Sequence, residues 1–229
     1  MIKNWRRATA AAAFALLPLT LLTPARAAGS APAAARAPET AAIGVAVGRL
    51  AVTTEDRTGY ERDSFRHWNT GLDPDDGCNT RAEVLIAEAV EPPSVGARCA
   101  LTGGSWFSYY DGLTVTPAGA LDIDHMVPLA EAWDSGASAW TPARREAYAN
   151  DQGAATSLIA VTARTNRQKS DQDPAQWLPP AENTHCRYLA EWTATKLRWN
   201  LTVDEAEQDR LFLLAAGCPG TTVTYEPAP

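Results

Sequence analysis

The chain has 229 residues, 45% hydrophobic and 21% charged, with 15 Gly, 16 Pro and 8 Trp. That length suits one domain with a buried core, and so aromatic a composition excludes global disorder. The formal net charge of −7, from 20 basic and 27 acidic residues, excludes a generic polycationic coat for nucleic acid and leaves room for a nucleic-acid enzyme with a local basic patch.

Residues 1–27 read as a signal peptide. Lys3, Arg6 and Arg7 form the positive start, an apolar run follows from Ala8, and Ala25-Arg26-Ala27 fits an A-x-A cleavage site. Pro18 and Pro24 interrupt the run, which is short for a membrane span. The Arg6-Arg7 pair admits a Tat route, with Sec favoured. The expected destination is secretion, without membrane association of the mature chain. Cleavage takes the formal charge from −7 to −11, because Lys3, Arg6, Arg7 and Arg26 leave with the signal.

Residues 28–40, rich in Ala, Pro, Ser and Gly, read as a flexible leader, and 41–229 as a single domain. A short helix is expected over 41–50, then an irregular aromatic stretch over 60–76. T-R-A-E (80–83) has the form of a capping box for a helix to about residue 90, which Pro92-Pro93 ends. From 98 to 116, β-formers broken by Gly103-Gly104 and Asp111-Gly112 predict hairpins. Residues 121–127 predict a strand, Pro128 a turn into a helix over 129–133, and Thr141-Pro142 a helix to about 150. A short apolar strand is expected at 158–161, and the polar segment 162–171 begins a helix or turn. Asp173-Pro174 opens a helical turn through Trp177. Cys186, Leu189, Thr193 and Leu197 recur close to helical spacing over 184–199. T-V-D-E (202–205) is a second capping box, for a helix to about 216 with Gly217 as its C-cap.

The four cysteines are Cys78, Cys99, Cys186 and Cys218. An even count outside the cytosol implies two disulfides. Of the three possible pairings, Cys78–Cys99 with Cys186–Cys218 is favoured, because each bond closes a local loop and stabilises by about 3 kcal/mol. The absence of any C-x-x-C argues against a zinc finger or ribbon.

The chemistry centres on L-D-I-D-H-M-V-P (121–128). A strand sends Asp122 and Asp124 to one face and His125 to the other, and a turn at Pro128 is expected to fold the imidazole back beside Asp124. A carboxylate that holds a hard cation, next to an imidazole that takes a proton from water, suits metal-assisted hydrolysis. A hydrogen-bonded structural histidine is the plainer reading of Asp-His alone. Downstream, S-L-I-A-V-T-A-R-T-N-R-Q-K-S-D-Q-D-P (157–174) offers Asn166 as a neutral oxygen ligand, and Arg164, Arg167 and Lys169 as a local basic cluster. On charge alone that cluster reads equally well as a solvated helix face.

Together these segments resemble the HNH endonuclease superfamily, the ββα-metal nucleases. D-I-D-H-M-V-P is similar to that family's first strand and turn, and T-N-R-Q-K-S-D to the end of its second strand and the start of its helix. The wider chain resembles secreted actinobacterial HNH proteins related to the C-terminal domain of GmrSD-type restriction enzymes. The likeness extends through Y-E-R-D-S-F-R-H-W (60–68), G-C-N-T-R-A-E-V-L (77–85), G-S-W-F-S-Y-Y-D-G (104–112), V-P-L-A-E-A-W (127–133), D-P-A-Q-W-L-P-P (173–180) and C-R-Y-L-A-E-W (186–192).

The resemblance implies an α+β fold, with a ββα-metal core at about 119–178 inside a helical and β-hairpin framework. It implies Asp124 and Asn166 as metal ligands and His125 as the base that activates water. It implies Mg²⁺ or Mn²⁺ rather than Zn²⁺ as the single cation, and DNA, with RNA also admitted, as substrate of a monomer. Arg164, Arg167, Lys169 and Arg81 are the candidate phosphate contacts. Asn166 stands where a full H-N-H pattern has a third histidine. Ser157 stands where many relatives carry an Asn that orients the base, so a backbone carbonyl or another side chain must do so.

Other residues divide between functional and plain readings. Asp122 is a partner of the ligand set or a solvent-facing strand residue. His67-Trp68 and Arg81 sit near the site or serve packing and ion pairing. Tyr109, Tyr110 and Asp111 favour hairpin packing over a substrate groove, and Asp173 favours capping over metal binding. Asp73, Asp75 and Asp76 suggest a calcium loop, but Gly77 is out of register for an EF-hand. Two rivals stand beside the nuclease: an inactive extracellular binding module on the same scaffold, and a phosphodiesterase acting on small esters.

Overall fold

The computed structural model of the chain describes residues 37–229. The expected signal peptide at 1–27 and most of the expected leader lie outside the described residues. The leader's last two residues, Glu39 and Thr40, open a strand instead, β1 (Glu39–Ala42). It runs straight into a short helix, α1 (Ile43–Val47), which buries Ile43, Ala46 and Val47. The irregular stretch that follows holds one 3-10 turn at Arg62–Ser64 and is anchored by buried Phe65, packed among Tyr60, Trp133 and Tyr148.

The next helix, α2 (Thr80–Ala87), is capped one residue earlier than the T-R-A-E pattern implies. Asn79 accepts the Ala82 N–H at 3.0 Å. Glu83 is drawn away from the reciprocal bond because it takes the N–H groups of Leu72 and Asp73. A glycine is required at Gly71, with φ +73°, since a Cβ there would lie 2.2 Å from the Glu83 carboxylate.

Two hairpins follow, β2 (Ser94–Val95) with β3 (Leu101–Thr102), and β4 (Trp106–Ser108) with β5 (Leu113–Val115). Gly103-Gly104 separates them, and Asp111-Gly112 forms the turn of the second.

The centre of the molecule is β6 (Leu121–His125), then α3 (Leu129–Asp134) and α4 (Pro142–Ala149), then β7 (Leu158–Thr162) and α5 (Ala163–Lys169). β6 and β7 pair antiparallel, from Leu121 opposite Thr162 to His125 opposite Leu158. Thr141 and Thr162 cap α4 and α5 through their hydroxyls. Asp173 opens the single helical turn expected through Trp177: its carboxylate takes the Ala175 and Gln176 N–H groups, and its carbonyl takes the Trp177 N–H. Two long helices complete the frame, α6 (His185–Trp199) and α7 (Glu205–Ala216), the latter capped by Asp204 and not by Thr202. The last strand, β8 (Thr222–Tyr225), pairs with β1.

The pleat of β6 and β7 divides two apolar clusters. Leu121, Ile123, Leu158 and Ala160 face a smaller cluster with Val84, Leu85 and Trp106. Ile159 and Val161 face the larger one, with residues of α1, α3, α4, α6 and α7. Both faces of the pair are therefore covered, which is why every residue of β7 is buried. Disulfides Cys78–Cys99 and Cys186–Cys218 tie α2 to the β2–β3 loop and the start of α6 to the end of α7. The fold is α+β, with small antiparallel sheets among helices.

Candidate active site

Asp124 and His125 end β6 on opposite faces. Asp124 is 4% exposed, and its Oδ2 accepts the Lys169 ammonium at 2.5 Å and the Tyr110 hydroxyl at 2.6 Å. The same ammonium donates to the carbonyls of His125 and Met126, each at 2.9 Å. Three donors thus meet three acceptors gathered by the turn after β6, and Lys169 is fully buried. The expectation that Lys169 contacts phosphate is therefore corrected: its charge is consumed inside the protein. Burial pushes the Asp124 carboxyl up, opposed by Lys169 and Tyr110; burial likewise pulls the Lys169 ammonium down, opposed by Asp124. Asp124 Oδ1 has no partner among the described residues and is not sealed by them.

The His125 ring does not fold back beside Asp124. It lies against Trp68, stacked at 5.5 Å between centroids, with His67 and Tyr148 beyond, and its Nε2 sits 2.9 Å from the Ala149 carbonyl. A carbonyl only accepts, so Nε2 carries the proton and Nδ1 keeps its lone pair. Nδ1 has no partner among the described residues and is not sealed by them. Burial holds the imidazole pKa down at about 3, so the ring is neutral. Ser157 does not touch the imidazole: its hydroxyl donates to Asp151 Oδ2 at 2.7 Å, and its carbonyl accepts the Met126 N–H.

Asp124 and His125 nevertheless open on one cavity of about 480 Å³, because they end the strand where the backbone turns away. Asn166 and Arg167 of α5 line it, as do Arg62 and Tyr60. Asn166 directs Nδ2 toward Asp122 Oδ2 at 3.4 Å, so its amide oxygen points elsewhere, and no protein donor meets that oxygen. Arg167, its side chain 76% exposed, is 3.5 Å from Asp122; Arg164 is 4.0 Å from Asp111 and lies outside the cavity lining. Arg81 donates to the Leu121 carbonyl at 2.9 Å and lines a different cavity.

Tyr110, expected to serve hairpin packing, is a hairpin-turn residue whose hydroxyl reaches Asp124. Arg57 carries no signal in the sequence beyond its type: it clamps Asp134 at the end of α3 and Asp171 after α5, and Asp171 lines the cavity. Groups of three carboxylates with oxygens within 4.8 Å occur elsewhere, at Glu55 with Glu131 and Asp134, and at Glu55 with Asp173 and Asp204. Lys196 and Arg57 bond directly to members of the first group.

Residues 78–214 match the family described as GmrSD restriction endonucleases, C-terminal domain. The chain is also similar to a protein of Arthroderma benhamiae named "Uncharacterized secreted protein", at 44% identity over 160 residues, covering 70% of this chain and 76% of that one. No solved structure matches. Among the described residues, no helix is long and apolar enough to cross a membrane.

Proposed function

The chain belongs to the GmrSD restriction endonuclease C-terminal domain family, and from that premise we propose that it is an exported, divalent-metal-dependent endonuclease of the ββα-metal type that hydrolyses phosphodiester bonds of DNA. On this reading residues 1–27 are a signal peptide, 41–229 one nuclease domain, and the ββα core is β6, β7 and α5 within about 119–178. The similarity to a protein named as secreted and the two disulfides support export.

One observation carries the reading. Asp124, Asn166 and His125, each with a side-chain atom left without a partner among the described residues, line one cavity together with Arg62 and Arg167. His125 Nδ1 takes the proton from the attacking water, and the Ala149 carbonyl fixes the tautomer that makes this possible. Arg167 and Arg62 hold the phosphate by charge. Asp124 Oδ1 and Asn166 Oδ1 fit a hard cation, Mg²⁺ or Mn²⁺. When bound there, the ion supplies charge neutralisation at the phosphate and leaving oxygen.

Plasmid nicking tests the proposal, using the mature protein with disulfides intact in Mg²⁺, Mn²⁺, Zn²⁺ or EDTA, beside His125→Ala. The expected result is nicking in Mg²⁺ or Mn²⁺, abolished by EDTA and lowered about 10²-fold or more in His125→Ala. No nicking by a folded, metal-supplied protein overturns the nuclease reading in favour of a binding module. Equal nicking by both proteins removes His125 from the base role.

A further inference from the structure

Trp68, whose ring stacks on His125, also lines a second cavity of about 680 Å³. Three arginines line it with Trp68: Arg66, Arg81 and Arg98. None has a carboxylate partner among the described residues. One carboxylate, Glu146, shares the lining and faces Asn69 Nδ2 at 3.5 Å. On the neighbouring loop, Asp73 and Asp76 turn their carboxylates to the N–H groups of Asp75 and Cys78. In a chain of net charge −7, the lining itself sets three guanidinium groups against one carboxylate.

Backbone strain gathers at the same place. Five described residues other than glycine adopt left-handed φ: Trp68, Arg98, Cys99, Ser170 and Asn200. Trp68, Arg98 and Cys99 line the second cavity, and Ser170 lines the first. Such a conformation is disfavoured for a side-chain-bearing residue and persists only where its surroundings hold it. Here the Cys78–Cys99 bond holds it, and both cysteines line the cavity. The loop that presents Arg98 is thus covalently fixed in a conformation it would not choose by itself.

We propose that this cavity is a second backbone subsite for the DNA strand being cut, seating phosphates that neighbour the one at His125. The subsite rests on the nuclease reading of the first cavity. Arg66 and Arg98 are exposed and make no side-chain hydrogen bond among the described residues, which leaves them to phosphate, while Arg81 is braced on Leu121. Trp68 lines this cavity and stacks on His125, which lines the first, so the two cavities lie one ring apart and a strand passing over Trp68 comes to both.

The test places Arg66→Ala/Arg98→Ala in the full mature chain carrying His125→Ala, so that DNA survives the measurement. Circular dichroism checks the fold. Affinity for a fluorescent duplex is read by anisotropy between about 50 and about 200 mM salt. The slope of log affinity against log salt is expected to fall by about 1.8, at about 0.9 for each phosphate no longer neutralised. The control Arg49→Ala/Arg210→Ala removes equal charge away from both cavities and is expected to keep the slope. An unchanged slope, or an equal fall in the control, overturns the subsite. In the cleaving protein, KM should drop as the substrate lengthens from a dinucleotide to a longer oligomer, and Arg66→Ala/Arg98→Ala should abolish that gain. If His125→Ala cuts DNA as well as the unaltered protein, the base assignment fails while the salt slope still decides the subsite.

Discussion

Lys169 places its ammonium 2.5 Å from Asp124 Oδ2 with both side chains buried, so a carboxylate that lines the cavity is held through Oδ2 from inside the protein. The last residue of α5 thereby fixes the end of β6, and the same ammonium ties down the His125 and Met126 carbonyls.

Lys169→Met should therefore destabilise the protein by about 3–5 kcal/mol, because it leaves a buried carboxylate and two carbonyls without their donor. Asp124→Asn/Lys169→Met should recover part of that loss, since the buried charge goes with its partner. Urea unfolding of the two single variants and the double variant measures this coupling. Additive losses would show that the pair does not act as a unit.

Ser157→Ala should separate stability from turnover. The hydroxyl is one of several donors to Asp151, which also takes Arg198 and the Trp199 indole N–H. Losing it should cost about 1 kcal/mol. The imidazole is held by the Ala149 carbonyl and not by this side chain. On the proposed nuclease, kcat for DNA cleavage should stay within about twofold, corresponding to less than about 0.5 kcal/mol of barrier. A large fall in kcat with little loss of stability would return Ser157 to the positioning of the base.

Much of this arrangement is legible in the residues. D-I-D-H and its return strand announce β6 and β7 by apolar runs and turn signals, and strand alternation separates Asp124 from His125. The two capping patterns misplace their helix starts for a local reason. Asn79 and Asp204, not Thr80 and Thr202, have a side-chain oxygen at the cap, and Glu83 is claimed by a loop that no capping pattern reveals. The strands β1 and β8 escape a local reading because each is a short polar segment, and their pairing joins the two ends of the described chain. Lys169 shows the limit most clearly. Its type and its neighbours Arg164 and Arg167 suggest a solvated basic face, and only the position of the β6 turn decides that it points inward.

Opening the Cys186–Cys218 bond should cost about 3–4 kcal/mol, as expected for a loop of its length. The bond lies across the ends of α6 and α7, away from both cavities. Cys186→Ala/Cys218→Ala should therefore lower Tm while keeping DNA affinity below the transition. Opening Cys78–Cys99 should lower DNA affinity in the folded protein, because it releases the Arg98 loop. Thermal melts beside anisotropy titrations distinguish the two bonds. Equal effects on affinity would contradict their different placement.

Stability should fall as pH rises from about 5 to about 8. Lys196 is sealed against Glu131 and Glu207, at 2.7 and 2.6 Å, with Glu55 close by, so one ammonium faces more carboxyl groups than it can neutralise. Burial first, with the Glu131 charge adding to it, pushes Glu207 up to about 8 and Glu55 up to about 7, from an ordinary 4.5. A raised carboxyl pKa means that the folded protein holds a proton the unfolded chain releases. The associated stability is complete below about pH 4.5 and is lost as pH climbs through 7 to 8, at up to about 1.4 kcal/mol per pH unit for buried Glu207 and less for Glu55, which solvent partly screens. His125 acts in the opposite sense. Its pKa is lowered by burial from 6.5 to about 3, so its contribution is complete above 6.5 and fades as pH falls toward 3. Two carboxyl groups outweigh one imidazole across the range where both titrate, which sets the direction between pH 5 and 8. Tm measured across that range should decline, and Glu207→Gln should make the decline shallower whatever its effect on absolute stability. A flat or rising profile in the unaltered protein would mean that Lys196 keeps Glu207 ionised.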